Sequence, residues 1–386
     1  MFDIEIKEIS ETKITNTGSF LQTPFWGEFK ASHGWINKRY KLFINPVIKL
    51  DHQLSYTETE VQVLTRSFGK GFLRFSIAYI PLFPLLPFND VDAFEQNIEF
   101  SNLLGDIGKA LKKVLPENTL CIRFDPQVEF LTPDERDEFV QGMKVISFAD
   151  RLNLKKNKVD IQPPDSTQIN LLPSEEEILG AMKTKWRYNV NLSARKGVEI
   201  LRVRGDNPDL SSYLDIFYDL YKITAERDGI AIHSKAYYED LLKKSSEEIK
   251  AGKDVPEVNL YIAKHEEDYL GAIITLFSKT ESIYLYGCSS NVKRNLMPNF
   301  LLQWTAMKDA KAYGSRYYDM YGMPPTDDEN HPMHGLYLFK TGFGGKNIHR
   351  PGTFDMPVSL WYGLIIKAET LRAFWHKKIL KKIRGR

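Results

Sequence analysis

The chain has 386 residues, of which 42% are hydrophobic and 26% are charged, and its formal net charge is only +2. This composition excludes a disordered chain, and the length is sufficient for two domains with separate cores. The low net charge excludes a strongly basic protein, so contact with nucleic acid or anionic lipid would depend on local clusters of Lys and Arg.

The N-terminal part of the chain mixes strand and helix patterns. Residues 38–45 and 58–68 are rich in β-branched and aromatic side chains and predict strands. Residues 91–115 repeat apolar side chains at helical spacing and predict a helix. This mixture is typical of an α/β or α+β domain.

Three signals bear on the cellular location. The longest apolar run, residues 77–88, contains three prolines and is shorter than the ~20 residues of a membrane-spanning helix. The chain starts without a secretory pattern, and its two cysteines, Cys121 and Cys288, are too few for a disulfide framework. We therefore predict a cytoplasmic protein with two packing thiols.

A polar segment, residues 149–168, contains paired prolines and predicts a linker with a domain boundary near residue 165. Strand and helix patterns alternate again beyond it, which predicts a second layered α/β domain. The predicted elements are strands at 198–204, 258–266, 269–278 and 281–290 and helices at 207–229 and 296–314.

One continuous helix is predicted over residues 174–196. Ser174 and Glu177 have the spacing of a capping box, and Gly197 is a typical residue to follow a helix. An apolar stripe and a polar ridge beside it follow from the spacing of four residues. The stripe is Met182, Trp186, Val190 and Ala194, and the ridge is Lys183, Arg187, Asn191 and Arg195. Spacing alone makes the ridge either a solvated face or a surface for a polyanion.

The most basic segment is the C-terminus, where the last 20 residues contain eight Lys or Arg and one Glu, with Trp and Phe between them. Such a tail is typical of a solvated terminal helix or of a segment that lies on an anionic membrane surface. The second reading predicts peripheral contact with the inner face of the cell membrane.

Several separated motifs occur in one order along the chain. They are LQTPFWGEFK, SIAYIP, FDP, KWRYNVNLSARKGV, TAERDG, YLYGCSS, PNFLLQWTAMKDAKAYG, YYDMYGMPP and GLYLFKTGFGG. Together they cover nearly the whole chain, and in this order they resemble the Fem-type peptidoglycan bridge-forming aminoacyltransferases.

The resemblance implies a fold of two acetyltransferase-like (GNAT-like) α/β domains, each a mixed sheet flanked by helices. It places the first domain at residues 1–165, completed by the C-terminal segment 345–386, and the second at 166–344. Some family members carry a coiled-coil arm in the second domain, but the interval at 237–258 is too short for two arm helices. The chain therefore resembles the armless members.

The resemblance also implies the activity. Family members transfer an amino acid from aminoacyl-tRNA to an amino group on the stem peptide of a peptidoglycan precursor. The acceptor is either UDP-MurNAc-pentapeptide or lipid II, aminoacyl-tRNA is the co-substrate, and we expect no cofactor and a monomer. Because the ester carbonyl is already activated, positioning and oxyanion stabilisation suffice, and no covalent enzyme intermediate is required.

Six residues match the family's functional positions. Lys30 and Arg227 match the cations that hold the precursor diphosphate, with ordinary surface charges as the alternative. Lys340 is the candidate for contact with the tRNA acceptor end and for stabilisation of developing negative charge. Phe339 is either a channel wall or stacking surface, or simply a core residue. Asp125 lies either near the acceptor amine or in a turn. Tyr286 either lines the precursor site or packs within a strand.

Lys183, Arg187 and Arg195 are then the candidates for contact with the tRNA backbone, because Lys30 and Arg227 already account for the diphosphate. Such contacts weaken as salt rises and do not depend on base sequence.

Two other functions remain open at this point. An acyl-CoA-dependent N-acyltransferase is disfavoured because residues 291–304 have no Gly, and Pro298 lacks an amide hydrogen for a pyrophosphate. A non-catalytic RNA-binding or membrane-binding protein would explain the basic segments. We predict no metal site, because His331 and His334 have no further Cys or His near them in the sequence.

Overall fold

Fourteen strands and ten α-helices make up the part of the chain that the computed structural model describes, which is residues 2–10, 19–46, 57–71, 74–83, 93–150 and 152–374. The strands are β1 (Phe2–Ile9), β2 (Ile36–Pro46), β3 (Thr57–Phe68), β4 (Phe75–Phe83), β5 (Thr119–Pro126), β6 (Lys155–Lys156), β7 (Asp165–Asn170), β8 (Glu199–Arg204), β9 (Glu257–His265), β10 (Asp268–Phe277), β11 (Glu281–Ser289), β12 (Tyr317–Asp319), β13 (Lys346–His349) and β14 (Phe354–Pro357). The helices are α1 (Pro24–Ser32), α2 (Ala93–Lys112), α3 (Pro133–Ala149), α4 (Glu175–Ala181), α5 (Thr184–Arg195), α6 (Leu210–Asp228), α7 (Lys235–Lys250), α8 (Pro298–Tyr313), α9 (His334–Thr341) and α10 (Tyr362–Phe374).

The strands form two seven-stranded sheets with the same internal layout. The strand order is β1-β2-β3-β4-β5-β14-β6 in the first sheet and β13-β7-β12-β11-β10-β9-β8 in the second. In each sheet four neighbouring strands are antiparallel, β1 to β4 in the first and β8 to β11 in the second. The last of the four then pairs in parallel with the next strand, β4 with β5 and β11 with β12. A long helix, α2 or α8, connects each parallel pair, because parallel strands need a crossover. The chain thus repeats one layout that no sequence repeat revealed.

The segment after α9 contributes to both sheets. Strand β13 pairs with β7 in the second sheet, whereas β14 lies between β5 and β6 in the first. The predicted return of the chain to the first domain therefore corresponds to β14. The domain limits at 165 and 345 stay a prediction.

Apolar side chains cover both faces of the second sheet and one face of the first, and a smaller apolar cluster that includes Ile77, Cys121 and Tyr362 packs α10 against the first sheet. Helices α2 and α3 pack on the first sheet, and α4, α5 and α8 pack on one face of the second. The other face of the second sheet is covered by α6 and α7, and α1 packs against α7. Phe25 and Phe29 of α1 share this last core with Phe217 and Tyr238, so an apolar core joins the two halves of the chain.

The prediction of one continuous helix over 174–196 is wrong. The capping box at Ser174 and Glu177 is confirmed, but α4 ends at Ala181 and α5 begins at Thr184. Met182 and Lys183 between them have extended backbones with ψ angles of 151° and 144°. Ala194 is exposed, so the predicted apolar stripe ends at Val190, and the adjacent Asn189 and Ser193 are buried instead.

Helices α6 and α7 pack on the second sheet within the described residues and do not project from it as an arm. None of the described helices is long and apolar enough to cross a bilayer. Cys121 and Cys288 are both buried, as predicted for packing thiols. The last 12 residues of the basic tail lie outside the described residues.

Candidate functional site

Lys30 lies in a cluster of aromatic rings at the end of α1. Its Nζ is 5.7 Å from the ring centroids of both Trp26 and Trp35 and 5.4 Å from that of Tyr237. The guanidinium carbon of Arg66 also lies over the Trp35 ring, 5.6 Å from its centroid. Burial, and secondarily the charge of Arg66, lower the pKa of Lys30 to about 8.

These two cations have no counter-charge among the described residues, because no described carboxylate forms an ion pair with Lys30 or Arg66. Two adjacent cations without a carboxylate are suited to bind an anion with more than one charge. We call Lys30, Arg66 and Trp35 the cation cluster. Sequence reasoning missed Arg66 because its place beside Lys30 depends on the pairing of β2 with β3.

Tyr286 adjoins the cation cluster through Tyr237. Lys30 Nζ donates to the Tyr237 hydroxyl at 3.5 Å, and the ring of Tyr238 lies 5.7 Å from that of Tyr237 and 5.1 Å from that of Tyr286. His233 stacks on the Tyr237 ring at 4.0 Å. Burial raises the pKa of Tyr237 to about 12 and that of Tyr286 well above its usual value, so both remain hydrogen-bond donors at neutral pH. The structure thus brings Lys30 and Tyr286 into one neighbourhood, and their shared role in binding a substrate stays a prediction.

Arg227 is at the C-terminal end of α6 and makes contacts of its own. Its Nε and Nη2 donate to the Asp228 carboxylate at 2.8 and 3.1 Å. Its Nη1 lies 3.3 Å from both oxygens of Ser289 and 3.4 Å from Asn291 Oδ1. Arg227 is therefore paired with a neighbouring carboxylate, unlike Lys30, and lies at the end of β11.

Arg227 borders a cavity of about 410 Å³ between β11, α8 and α9. Phe339 and Phe300 line its apolar side, and Arg294 is an exposed cation on its wall. No ion pair to Arg294 exists among the described residues. Arg294 was also missed from the sequence, because the basic stretch before α8 has no periodicity that indicates where its side chains point.

Phe339 is both a packing residue and part of the cavity wall. Its ring lies 5.3 Å from those of Phe300 and Phe343, and its backbone carbonyl accepts a hydrogen bond from Trp186 Nε1 at 2.8 Å. A Cβ on Gly342 would lie 2.2 Å from the Trp186 ring, so the GFGG sequence permits this close packing. The start of α5 is thereby fixed beside α9.

Lys340 holds the chain that follows β12. Its buried Nζ donates hydrogen bonds to the carbonyls of Met320, Tyr321 and Gly322 at 2.7, 2.6 and 2.8 Å, which uses all three ammonium hydrogens. Burial lowers the pKa of Lys340 to about 7, and the nearby Asp319 opposes this shift. Tyr321 has a φ of 54°, a left-handed conformation that is uncommon for residues other than Gly. The lysine therefore secures a strained turn.

Asp125 is buried at the end of β5, where it accepts hydrogen bonds from the hydroxyls of Tyr79 and Thr353. The Tyr79 oxygen in turn accepts from Gln162 Nε2 at 3.0 Å, and the Gln162 carbonyl accepts from the hydroxyl of Tyr321. Burial raises the pKa of Asp125 to about 6, against the effect of its two hydrogen bonds.

The side chains from Asp125 to Tyr321 form a hydrogen-bonded chain that we call the inter-domain network. It connects Asp125 of the first sheet with Tyr321, whose carbonyl is held by Lys340. Two predicted catalytic residues are thus joined through Tyr79 and Gln162, which sequence reasoning missed. Gln162 lies in the segment that we predicted to be a linker.

The three predicted tRNA-binding residues have different surroundings. Lys183 is exposed, and its backbone N–H donates to the Gly342 carbonyl at 2.9 Å, so it adjoins α9. Arg187 donates to the carbonyls of Gly180 and Met182 and so closes the end of α4. Arg195 is exposed at the far end of α5, about 18 Å along a 12-residue helix. The three therefore do not form one uniform ridge.

His331 and His334 have only local partners. His334 Nε2 lies 2.5 Å from Asp327 Oδ1, and His331 Nδ1 accepts from the Met333 amide. Within the described residues, no three His, Cys, Asp or Glu side chains converge on a position for a metal ion.

Comparison with known proteins matches the FemAB family model to residues 10–251 and 244–369. The lipid II:glycine glycyltransferase of Staphylococcus haemolyticus (strain JCSC1435) is 24% identical over 428 residues, 96% of this chain and 95% of that protein. The protein of the same name from Staphylococcus aureus (strain COL) is 24% identical over 398 residues, 88% of each chain.

The crystal structure of FemX superposes with a TM-score of 0.65 and 22% identity and covers 92% of this chain and 95% of its own. A tandem GNAT protein from the clavulanic acid pathway also aligns, with a TM-score of 0.45. The predicted fold of two mixed α/β units is confirmed. With a family model that matches most of its length, the chain belongs to the FemAB family.

Proposed function

We propose that this protein transfers an amino acid from aminoacyl-tRNA to an amino group on the stem peptide of a lipid-linked peptidoglycan precursor. Similarity over nearly the whole chain to proteins named lipid II:glycine glycyltransferase supports a lipid-linked acceptor and makes glycine the first donor to test. UDP-MurNAc-pentapeptide is the other acceptor to compare.

The observation that carries this proposal is the cation cluster. Lys30 and Arg66 both lie over the Trp35 ring without a carboxylate partner among the described residues, which fits a diphosphate. Tyr237 and Tyr286 extend the cluster with hydroxyl donors that suit the sugar and peptide of a precursor.

The cavity beside Phe339 is the proposed place of the aminoacyl end of the tRNA. Phe300 and Phe339 offer aromatic surfaces to the terminal adenine. Arg227, which the family resemblance assigned to the diphosphate, borders this cavity, so we assign it with Arg294 to the phosphates of the tRNA end instead. Cys288 also borders this cavity, but burial raises the pKa of its thiol, so it does not supply a thiolate nucleophile.

The proposed reaction is direct aminolysis. The neutral acceptor amine attacks the ester carbonyl carbon, the new C–N bond forms, and the ester C–O bond breaks. The amine loses a proton and the ribose oxygen gains one, so no external reagent is required. Asp125 is too deeply buried to touch a substrate in this conformation, so we assign it a positioning role through Tyr79 and Gln162.

The test is to incubate the protein with mixed aminoacyl-tRNAs and, separately, with lipid-linked and nucleotide-linked precursors, and to identify the products by mass. We expect the lipid-linked precursor to gain one residue. A Lys30→Ala/Arg66→Ala protein should show an acceptor KM raised about tenfold or more, whereas its KM for aminoacyl-tRNA should change little.

Lys38→Ala is the matched control, because Lys38 is an exposed lysine of the same sheet that pairs with Glu8. Absence of product with both precursors contradicts the proposed function. Stabilisation against heat by acetyl-CoA, without transfer from tRNA, would favour an acyl-CoA-dependent enzyme instead.

A further inference from the structure

Three apolar side chains project into solvent at the start of α10. Leu360 is 102% exposed, Trp361 66% and Leu364 62%. On the opposite side of the helix, Tyr362 donates a hydrogen bond to Asp355 at 2.9 Å, and Ile365 packs against the first sheet. The start of the helix is therefore held against the sheet, and the three exposed side chains lie on its solvent-facing side.

Several exposed cations lie in the segments next to the start of α10, at the same end of the first sheet. The backbone amides of Val358 and Ser359 donate to the Leu120 carbonyl, which places the start of α10 beside the loop before β5. Asn118 in that loop donates to the Arg74 carbonyl, so the turn between β3 and β4 adjoins it. The exposed charges of these segments, together with Lys155 of β6 beside the Tyr362 ring, are five cations, Lys70, Arg74, Lys112, Lys113 and Lys155, and one acid, Glu117.

We propose that this end of the first sheet, the docking face of Leu360, Trp361 and Leu364 with the neighbouring cations, binds the surface of an anionic lipid bilayer. Trp and Leu side chains favour the region between headgroups and acyl chains, and Lys and Arg near them attract anionic headgroups. The same cations would repel a second copy of this face. The sequence adds six Lys or Arg and no acidic residue in its last 12 positions.

The cation cluster and the anchored side of α10 are linked through Phe68 of β3. The guanidinium carbon of Arg66 lies 5.8 Å from the ring of Phe68, and Phe68 packs in the same apolar cluster as Ile365 of α10. If the proposed function holds, a diphosphate bound by Lys30 and Arg66 would therefore lie beside the membrane surface, where the diphosphate of a lipid-linked acceptor is located.

The test measures cosedimentation of the full-length protein with vesicles of phosphatidylcholine alone and of phosphatidylcholine with phosphatidylglycerol. We expect binding to the anionic vesicles that weakens as salt rises. The affinity of full-length Leu360→Ser/Trp361→Ser/Leu364→Ser for these vesicles should be lower by about tenfold or more, since its apolar contact is lost while its basic tail is intact.

Leu172→Ser/Tyr188→Ser is the matched control, because both side chains are similarly exposed but lie in the second half of the chain. Equal binding of the triple variant and the wild type would overturn the proposal and assign the affinity to the tail. Loss of a dimer in the triple variant, seen by sedimentation velocity without vesicles, would assign the face to self-association and also overturn it.

Neither substrate is present in this test, so its result is independent of the proposed function. A protein that transfers amino acids but does not bind vesicles would contradict only the docking face. A protein that binds vesicles but yields no product would contradict only the function.

Discussion

Lys340 is a buried cation whose hydrogen bonds all go to the backbone. Its three carbonyl partners belong to consecutive residues, 320–322, and one of these, Tyr321, has a left-handed conformation. A buried carbonyl that loses its donor costs about 1–3 kcal/mol. We therefore expect Lys340→Met to lower the free energy of unfolding by about 2–4 kcal/mol in urea titrations.

Lys346→Met is the control, because this exposed lysine is only six positions away. Unchanged stability of Lys340→Met, together with lost transfer, would show that the ammonium acts on the substrate rather than on the turn.

Lys30 predicts a specific pH dependence. Its pKa of about 8 means that the ammonium is fully present below that pH and is lost as the pH rises through it. Since the charged form binds a diphosphate, the acceptor KM should rise between pH 7 and 9. Lys30→Arg keeps its charge over this range and should flatten the profile. The same slope in both proteins would exclude Lys30 as the titrating group.

The residues that sequence reasoning found and missed differ in a physical way. Lys30, Phe339 and Lys340 lie in contiguous motifs, so the family resemblance identified them. Arg66 and Gln162 have no such motif and acquire their neighbours only when strands pair or a linker crosses between the halves. Long-range placement of this kind leaves no periodic signal in a single sequence.

At the scale of elements, the break between α4 and α5 shows the same limit. The spacing of apolar residues from Met182 onward is compatible with one helix, but the Lys183 amide bonds to the Gly342 carbonyl instead of continuing it. Arg187 then closes α4 through the carbonyls of Gly180 and Met182. The capping box and the Gly197 stop, which are local signals, were predicted correctly.

This arrangement separates Arg187 from the other tRNA candidates. Arg187→Met should lower the free energy of unfolding by about 1–2 kcal/mol, because it removes charged hydrogen bonds to the end of α4. It should leave the salt dependence of tRNA binding unchanged. Arg195→Met, on the exposed end of the same helix, should leave stability unchanged and reduce the slope of log affinity against log salt by about one. The reverse pattern would make Arg187 the phosphate ligand.

At the scale of the whole molecule, two copies of one layout are held together by unlike contacts. The apolar core shared by α1, α6 and α7 joins them, and so does the polar inter-domain network, whose Tyr321 also packs against that core. The α/β class and the order of elements followed from the sequence. The family resemblance predicted two domains of one kind, but their shared strand order did not follow from the sequence, because a sheet layout is set by strand pairing and not by similarity between the two halves.

Gln162 is the single side chain that carries the inter-domain network from Tyr79 to Tyr321. Gln162→Leu removes both hydrogen bonds while keeping a side chain of similar size, so Asp125 and the turn held by Lys340 are no longer linked. We expect kcat to fall about tenfold, equivalent to ~1.4 kcal/mol of transition-state stabilisation, with both KM values within about twofold of wild type.

Asn118→Leu is the control, since it also removes an amide hydrogen bond but within the first half of the chain. Because the shared apolar core is untouched, both variants should unfold in one calorimetric transition. A Gln162→Leu protein with normal kcat would limit the network to a structural role, whereas loss of kcat with intact substrate affinities would establish that catalysis requires the two halves to be held in register.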